Sequence, residues 1–172
     1  MRASSAAEPL RLRPMTPGDV PAVLAVQEPG AVRALSTIFP QDEYPFPRED
    51  IGRTWLQEIA DPGIECAVAV RGEAVIGFAA VRGAELLHLG TAVERWGTGD
   101  AERMHDAILE GMREGGVGRA FLKVFEGNAR ARRFYERLGW RRTGERRVSA
   151  FPPHPELLVY ERDPAGFSQT SR

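Results

Sequence analysis

The chain has 172 residues, the length of one domain, and its 42% apolar and 27% charged residues allow both a sizeable core and a solvated surface. Lysine plus arginine (23) nearly balances aspartate plus glutamate (24), and the net charge of −1 excludes a globally basic nucleic-acid binder. One cysteine, Cys66, excludes a disulfide framework or a cysteine-rich metal site, and no apolar run approaches the ~18 residues that cross a bilayer.

Met1–Pro9 and Asp163–Arg172, small and polar, are expected as flexible ends around a single domain of residues 10–162. The N-terminus carries no apolar signal core, so a cytoplasmic location is expected. Leu10-Arg11-Leu12-Arg13 alternates as a half-buried strand does. Thr16-Pro17-Gly18-Asp19 combines a capping hydroxyl, an early proline and a carboxylate three residues on, which predicts a helix start. Val20, Val23, Leu24 and Gln27 then recur at helical spacing, to about Glu28.

Phe39–Pro47 (FPQDEYPFP) is too rich in proline for a helix or a central strand. Its aromatics either pin a loop to the core or line a pocket. Ile51, Trp55, Leu56 and Ile59 mark a second helix, stopped at Asp61-Pro62-Gly63. Glu65–Arg71 and Ala74–Val81 read as a hairpin about Gly72-Glu73, and Ala84–Val93, the most apolar strand, as the central one. Glu94–Ala101 is a glycine turn opening into a helix whose expected buried face is Met104, Ala107, Ile108, Gly111 and Met112. A strand follows at Ala120–Phe125, then a helix capped by Asn128 with Ala131, Phe134, Tyr135 and Leu138 on its buried stripe. Extended segments at about Arg141–Ala150 and Glu156–Arg162 close the domain. This order predicts an α/β (α+β) fold, a mixed, mostly antiparallel central sheet with helices on both faces.

The turn Trp96–Ala101 is the first chemical signal. Unpaired N–H groups at a helix start attract phosphate, and glycines at 97 and 99 let it approach the main chain. Two rival phosphate motifs fail. The dinucleotide fingerprint requires glycine at 102, which is Glu102, and the P-loop requires a lysine in the turn, whereas the only lysine is Lys123 in a strand.

The second signal is Asn128-Ala129-Arg130-Ala131-Arg132-Arg133-Phe134-Tyr135-Glu136-Arg137-Leu138-Gly139-Trp140. With the glycine turn upstream, the chain resembles the GNAT-type (GCN5-related) N-acetyltransferases over roughly residues 10 to 162. Asn128, Ala131, Phe134, Tyr135, Gly139 and Trp140 match that family's C-terminal pattern without a gap. Trp96, Gly99 and Ala101 occupy its pyrophosphate loop, with the extra Gly97 of many members; Trp96 stands where the family has glutamine or arginine.

The resemblance implies the acyl-coenzyme-A N-acyltransferase fold and acetyl-coenzyme A as co-substrate, with no metal. It implies that main-chain groups at Trp96, Gly97, Thr98, Gly99, Asp100, Ala101 and Glu102 hold the pyrophosphate. The strand end Leu89, Gly90, Thr91, Ala92 and Val93 pairs with the pantetheine arm, and Asn128, Ala131, Phe134 and Tyr135 line the coenzyme. Tyr135 is the implied acid for the leaving thiolate, with simple packing on its stripe as the alternative. The implied base is Glu85 or His88, or a water chain. Strand alternation puts Glu85, Leu87, Leu89 and Thr91 on one face and His88 on the other. The plain alternatives are a solvated strand-end charge for Glu85 and a hydrogen-bonded core histidine for His88. Asp42, Glu43 and Tyr44 fall where the family binds its acceptor and are expected to hold a cationic amine.

Asn128–Arg147 carries eight arginines against Glu136 and Glu145, a local charge of +6. It lacks base-stacking motifs, so a helix surface or coenzyme contacts by Arg130 or Arg133 are expected rather than nucleic acid. The leading function is transfer of an acetyl group to a primary amine of a small molecule or peptide, by a monomer or homodimer without nucleic-acid or membrane partners. The carboxylate of Asp100 inside the phosphate loop, together with Trp96, supports a second reading: a catalytically weak or silent acyl-coenzyme-A-binding or regulatory module.

Overall fold

Apolar alternation and short turns become, in the computed structural model, which describes residues 8–166, seven strands and four α-helices. In chain order they are β1 (Leu10–Pro14), α1 (Val20–Ala34), α2 (Arg48–Ala60), β2 (Glu65–Arg71), β3 (Ala74–Arg82), β4 (Glu85–Thr91), α3 (Asp100–Glu114), β5 (Ala120–Phe125), α4 (Ala129–Arg137), β6 (Arg141–Val148) and β7 (Glu156–Arg162). Residues 1–7 and 167–172, the bulk of the expected flexible ends, lie outside the described residues. No helix among the described residues is long and apolar enough to cross a membrane.

The strands form one sheet in the order β1-β2-β3-β4-β5-β7-β6, with β4 in the middle as its apolarity predicts. Only β4 and β5 run parallel, and they pair at a single register position, Glu85 with Phe121, before diverging. The sheet therefore splits into a V, and on the side facing β5 the strand β4 presents unpaired main-chain groups beyond its first residue.

Each face of the sheet buries its own core. One carries α1 and α2, where Val23, Leu24 and Trp55 pack on Val68, Phe78 and Ala80. The other carries α3 and α4, where Leu109, Met112, Trp140 and Tyr135 surround Leu86, Leu122 and Leu158. Burying each such large side chain contributes about 1.5–3 kcal/mol. The first helix runs past Pro29 to Ala34, well beyond the expected stop near Glu28. Its last turns line both cavities described below, contributing Gly30 and Ala34 to one and Ala31 and Val32 to the other.

The buried face of α3 also differs from the expected one. Met104, His105, Leu109 and Met112 are buried, and Ala107 and Gly111 are exposed. A histidine enters this face because both ring nitrogens are satisfied: Nδ1 lies 2.9 Å from Asp106 Oδ1, and Nε2 accepts from Trp140 Nε1 at 2.9 Å.

Candidate functional site

Two cavities lie end to end along β4. The first, about 720 Å³, is a groove at the end of β4, lined by Leu89, Gly90 and Thr91, by Gly30 and Ala34 of α1, by the turn from Arg95 to Gly99 with Ala101 and Glu102, and by α4. The second, about 800 Å³, is lined by Glu85, Leu86, Leu87 and His88 of β4, by the Phe39–Pro47 loop, and by α2, β5 and the β6–β7 connection. Gln27 of α1 borders both, so they meet near His88 and Leu89.

The glycine turn and the start of α3 give the groove an end suited to an anion. Gly97 and Gly99 have φ of 77° and 88°, a conformation in which a side chain would be strained. They turn the chain so that α3 begins at the groove with its first-turn amides free of intrahelical partners. Asn128 Oδ1 accepts from Ala131 N at 3.1 Å and so caps α4 at the opposite wall. Ala131, Phe134 and Tyr135 line that wall; burial raises the Tyr135 phenol pKa above its ordinary value, so it remains protonated at neutral pH.

Asp100 does not present its carboxylate to the groove. The side chain is fully buried beneath the turn, with Arg71 Nη2 and Arg95 at 2.7 Å and Arg103 at 3.3 Å. Hydrogen bonding from Arg71 and then Arg95, against the cost of burial, holds its pKa down at about 2. Asp100 is thus an anchor for the glycine turn. Ala92 and Val93 also stay out of the groove, because the strand ends at Thr91 and the chain turns into a 3-10 segment at Val93–Arg95.

Trp96 lines the groove with its indole, whose Nε1 donates to Thr91 O at 3.3 Å. The Arg130 guanidinium stacks on that ring at 3.8 Å, and Arg33 approaches it at 5.7 Å. Burial, then Arg133 and Arg33, lower the Arg130 pKa. A cation therefore does stand at this place, carried by α4 and supported by the aromatic ring. Other arginines of the basic segment are taken up elsewhere. Arg132 donates to Tyr160, and Arg146 pairs with Glu126 and Glu156.

In the second cavity, a bulge corrects the strand alternation. Val81 pairs with Leu86 and Ala80 with His88, so Leu87 is an extra residue on β4. Glu85 and His88 consequently line the same cavity instead of opposite faces. Their surroundings differ. Glu85 is buried, and its carboxylate meets Arg82 at 2.8 Å and Lys123 Nζ at 3.2 Å, bracing the vertex where β4 and β5 still pair. The His88 Nε2 lies 3.0 and 3.1 Å from the two carboxylate oxygens of Glu58, and its ring packs on Trp55 with centroids 4.9 Å apart. Burial, then Glu58, push the Cys66 thiol up to about 11, so it is not a nucleophile at neutral pH.

The aromatic loop both pins itself and lines the cavity. Phe39 meets Phe125 edge-on at 5.4 Å, and Phe46 packs against the α1–α2 core. Gln41 ties the loop together, donating to Phe39 O and Tyr44 O and accepting from Phe46 N at 3.0 Å. Glu43 and Tyr44 line the cavity; Asp42 does not, and is exposed on the turn. Sequence reasoning missed Glu58, Gln41 and Gln27 as site residues. Gln27 left a signal, a polar side chain on an apolar helical stripe; its Oε1 accepts from Trp55 Nε1 at 2.8 Å. Among the described residues, no group of three or more His, Cys, Asp or Glu is placed to hold a metal ion.

Comparison with known proteins agrees with this geometry. The family model described as an acetyltransferase (GNAT) domain matches residues 9–141. No curated protein matches the sequence significantly. Among solved structures, an acetyltransferase from Thermus thermophilus is 21% identical, with a TM-score of 0.70 over 90% of this chain and 96% of that one. The PaiA N-acetyltransferase of Thermoplasma acidophilum, in complex with coenzyme A, is 16% identical, with a TM-score of 0.67 over 90% and 99%. The spermidine N-acetyltransferase of Vibrio cholerae, in complex with coenzyme A and spermine, is 17% identical, with a TM-score of 0.67 over 91% and 96%.

Proposed function

The chain belongs to the GNAT acetyltransferase family, acyltransferases that use acetyl-coenzyme A, and from that premise we propose that it acetylates a primary amine of a small molecule bound in the second cavity. The observation that carries this reading is the meeting of the two cavities at His88 and Leu89. It gives a donor lying along β4 and an amine entering from the Phe39–Pro47 side one point of contact.

The groove suits the donor. The main-chain groups of β4 that β5 leaves unpaired beyond Glu85 accept an extended arm as an added strand. The turn at Gly97, Thr98 and Gly99 and the first turn of α3 receive the pyrophosphate. Arg130, stacked on Trp96, supplies the cation that position 96 lacks, with Arg133 beside it on the groove wall. Acetyl-coenzyme A bound there supplies the activated acyl carbonyl.

The amine attacks that carbonyl, forming a nitrogen–carbon bond and breaking the carbon–sulfur bond. One proton must leave the nitrogen, and one must reach the departing sulfur. His88 takes the first. With Glu58 ionised, Nε2 carries the ring proton, which leaves the Nδ1 lone pair as acceptor. Two observations favour His88 over Glu85: it adjoins the meeting point of the cavities, and the Glu85 carboxylate is already held by Arg82 and Lys123. Tyr135, a neutral phenol on the groove wall, donates the second. The silent-module reading drew on Trp96 and on Asp100 as a free anion in the turn; Arg130 stacked on Trp96 and the three arginine partners of Asp100 weaken both motives.

The test is thiol release from acetyl-coenzyme A with a panel of primary amines, the amide product identified by mass and coenzyme binding measured by calorimetry. Amine-dependent release is expected. Tight coenzyme binding with no acetylated product from any amine restores the silent module.

A further inference from the structure

Resting on the reading of the second cavity as the acceptor site, we infer that the acceptor is a monoamine carried on an aromatic body, an arylalkylamine, and not a polyamine. The walls are rings: Phe39, Tyr44 and Phe46 from the loop, Phe125 from β5, and Phe151 from the β6–β7 connection, with Trp55 beneath His88. Phe151 is 46% exposed and Val148, on the same wall, 67% exposed. Large apolar side chains left in water beside a cavity of about 800 Å³ are surface that an apolar ligand would cover. Edge and face contacts among such rings favour a flat partner.

The charges lining the cavity agree. Three carboxylates line it: Glu43, Asp50 and Glu85. Asp50 is paired with Arg53, and Glu85 with Arg82 and Lys123. Among the described residues, Glu43 alone of the three has no ion pair. Glu58, behind His88, is engaged by that imidazole. One free carboxylate suits one ammonium group. A polyamine brings several, and each further one would find no unpaired carboxylate among those lining the cavity and would be repelled by Lys123. A ring occupying the Phe39–Phe125 side, with the amine directed toward His88, leaves no buried charge unpaired.

The experiment compares 2-phenylethylamine, spermidine and a short alanine-terminated peptide as acceptors for the intact protein, and measures amine binding separately by calorimetry. The expected result is a kcat/KM for 2-phenylethylamine at least about tenfold above that for either other amine. Phe151→Ser, which removes an exposed ring, should weaken 2-phenylethylamine binding severalfold and leave acetyl-coenzyme A binding unchanged. A preference for spermidine or the peptide overturns this inference while the acetyltransferase reading stands. Acetylation of no amine, with 2-phenylethylamine bound and sensitive to Phe151→Ser, overturns the catalytic reading and leaves the binding preference standing. No measurable 2-phenylethylamine binding overturns the inference outright.

Discussion

Trp140 Nε1 donates to His105 Nε2 at 2.9 Å inside the core beneath α4, and Tyr135 packs edge-on to the same indole at 5.9 Å. The imidazole is fully buried and acts as an acceptor only while neutral. Burial, outweighing the opposing effect of Asp106, lowers its pKa below the ordinary 6.5. The unfolded chain therefore binds a proton near pH 6 that the folded chain refuses, so the unfolded state carries more protons and stability rises with pH. The full contribution is present above pH 6.5 and is lost as pH falls toward the lowered value. Thermal unfolding should show a Tm that drops between pH 7.5 and pH 5, and His105→Gln, which keeps an acceptor without the titration, should flatten that drop.

Asp100 anchors the glycine turn, and its removal deprives Arg71, Arg95 and Arg103 of the carboxylate they share. Asp100→Asn should cost about 2 kcal/mol, a Tm decrease of about 5 °C for a domain of this size. It should also raise KM for acetyl-coenzyme A severalfold, because the turn loses its anchor. The sign with pH is opposite in origin to a raised group: the depressed pKa of about 2 stabilises the fold above pH 3.8, and the benefit disappears as pH falls toward 2. Acid unfolding of the variant should therefore be less steep in that window.

If Tyr135 is the acid, its hydroxyl acts only once carbon–sulfur cleavage is under way. Tyr135→Phe should lower kcat by about a hundredfold while KM for acetyl-coenzyme A stays within about twofold. Equal loss in binding and turnover would mean that the ring serves the groove wall alone.

Substitutions at Glu58 and at Glu85 should separate rate from stability. Glu58→Gln leaves His88 without its carboxylate and should lower kcat about tenfold. His88→Gln should abolish the acidic limb of the kcat/KM–pH profile. Glu85→Gln should lower Tm, since Lys123 and Arg82 lose their anion, and leave the shape of that profile intact. A profile that changes only in Glu85→Gln would return the base to Glu85.

The order of strands and helices, the central place of β4, the glycine turn opening α3 and the Asn128 cap were all legible in the sequence. Each depends on neighbours in the chain: alternation, 3.6-residue spacing, a capping side chain, a residue that tolerates positive φ. Local pattern also carried the match to a family. It could not say where Asp100 points, because Arg71 lies 29 residues away in sequence and meets it only when β2 and α3 pack. It could not place His88, because one extra residue at Leu87 reverses the alternation, and that bulge exists only in the pairing with β3. Glu58 carried no signal at all, since its partner lies 30 residues further along the chain on another element. The sequence by itself determined which elements form and where the glycine turn opens α3, both local properties of the chain. The tertiary structure alone decided which charges remain free and which side chains face the second cavity, because neutralisation and orientation depend on long-range packing.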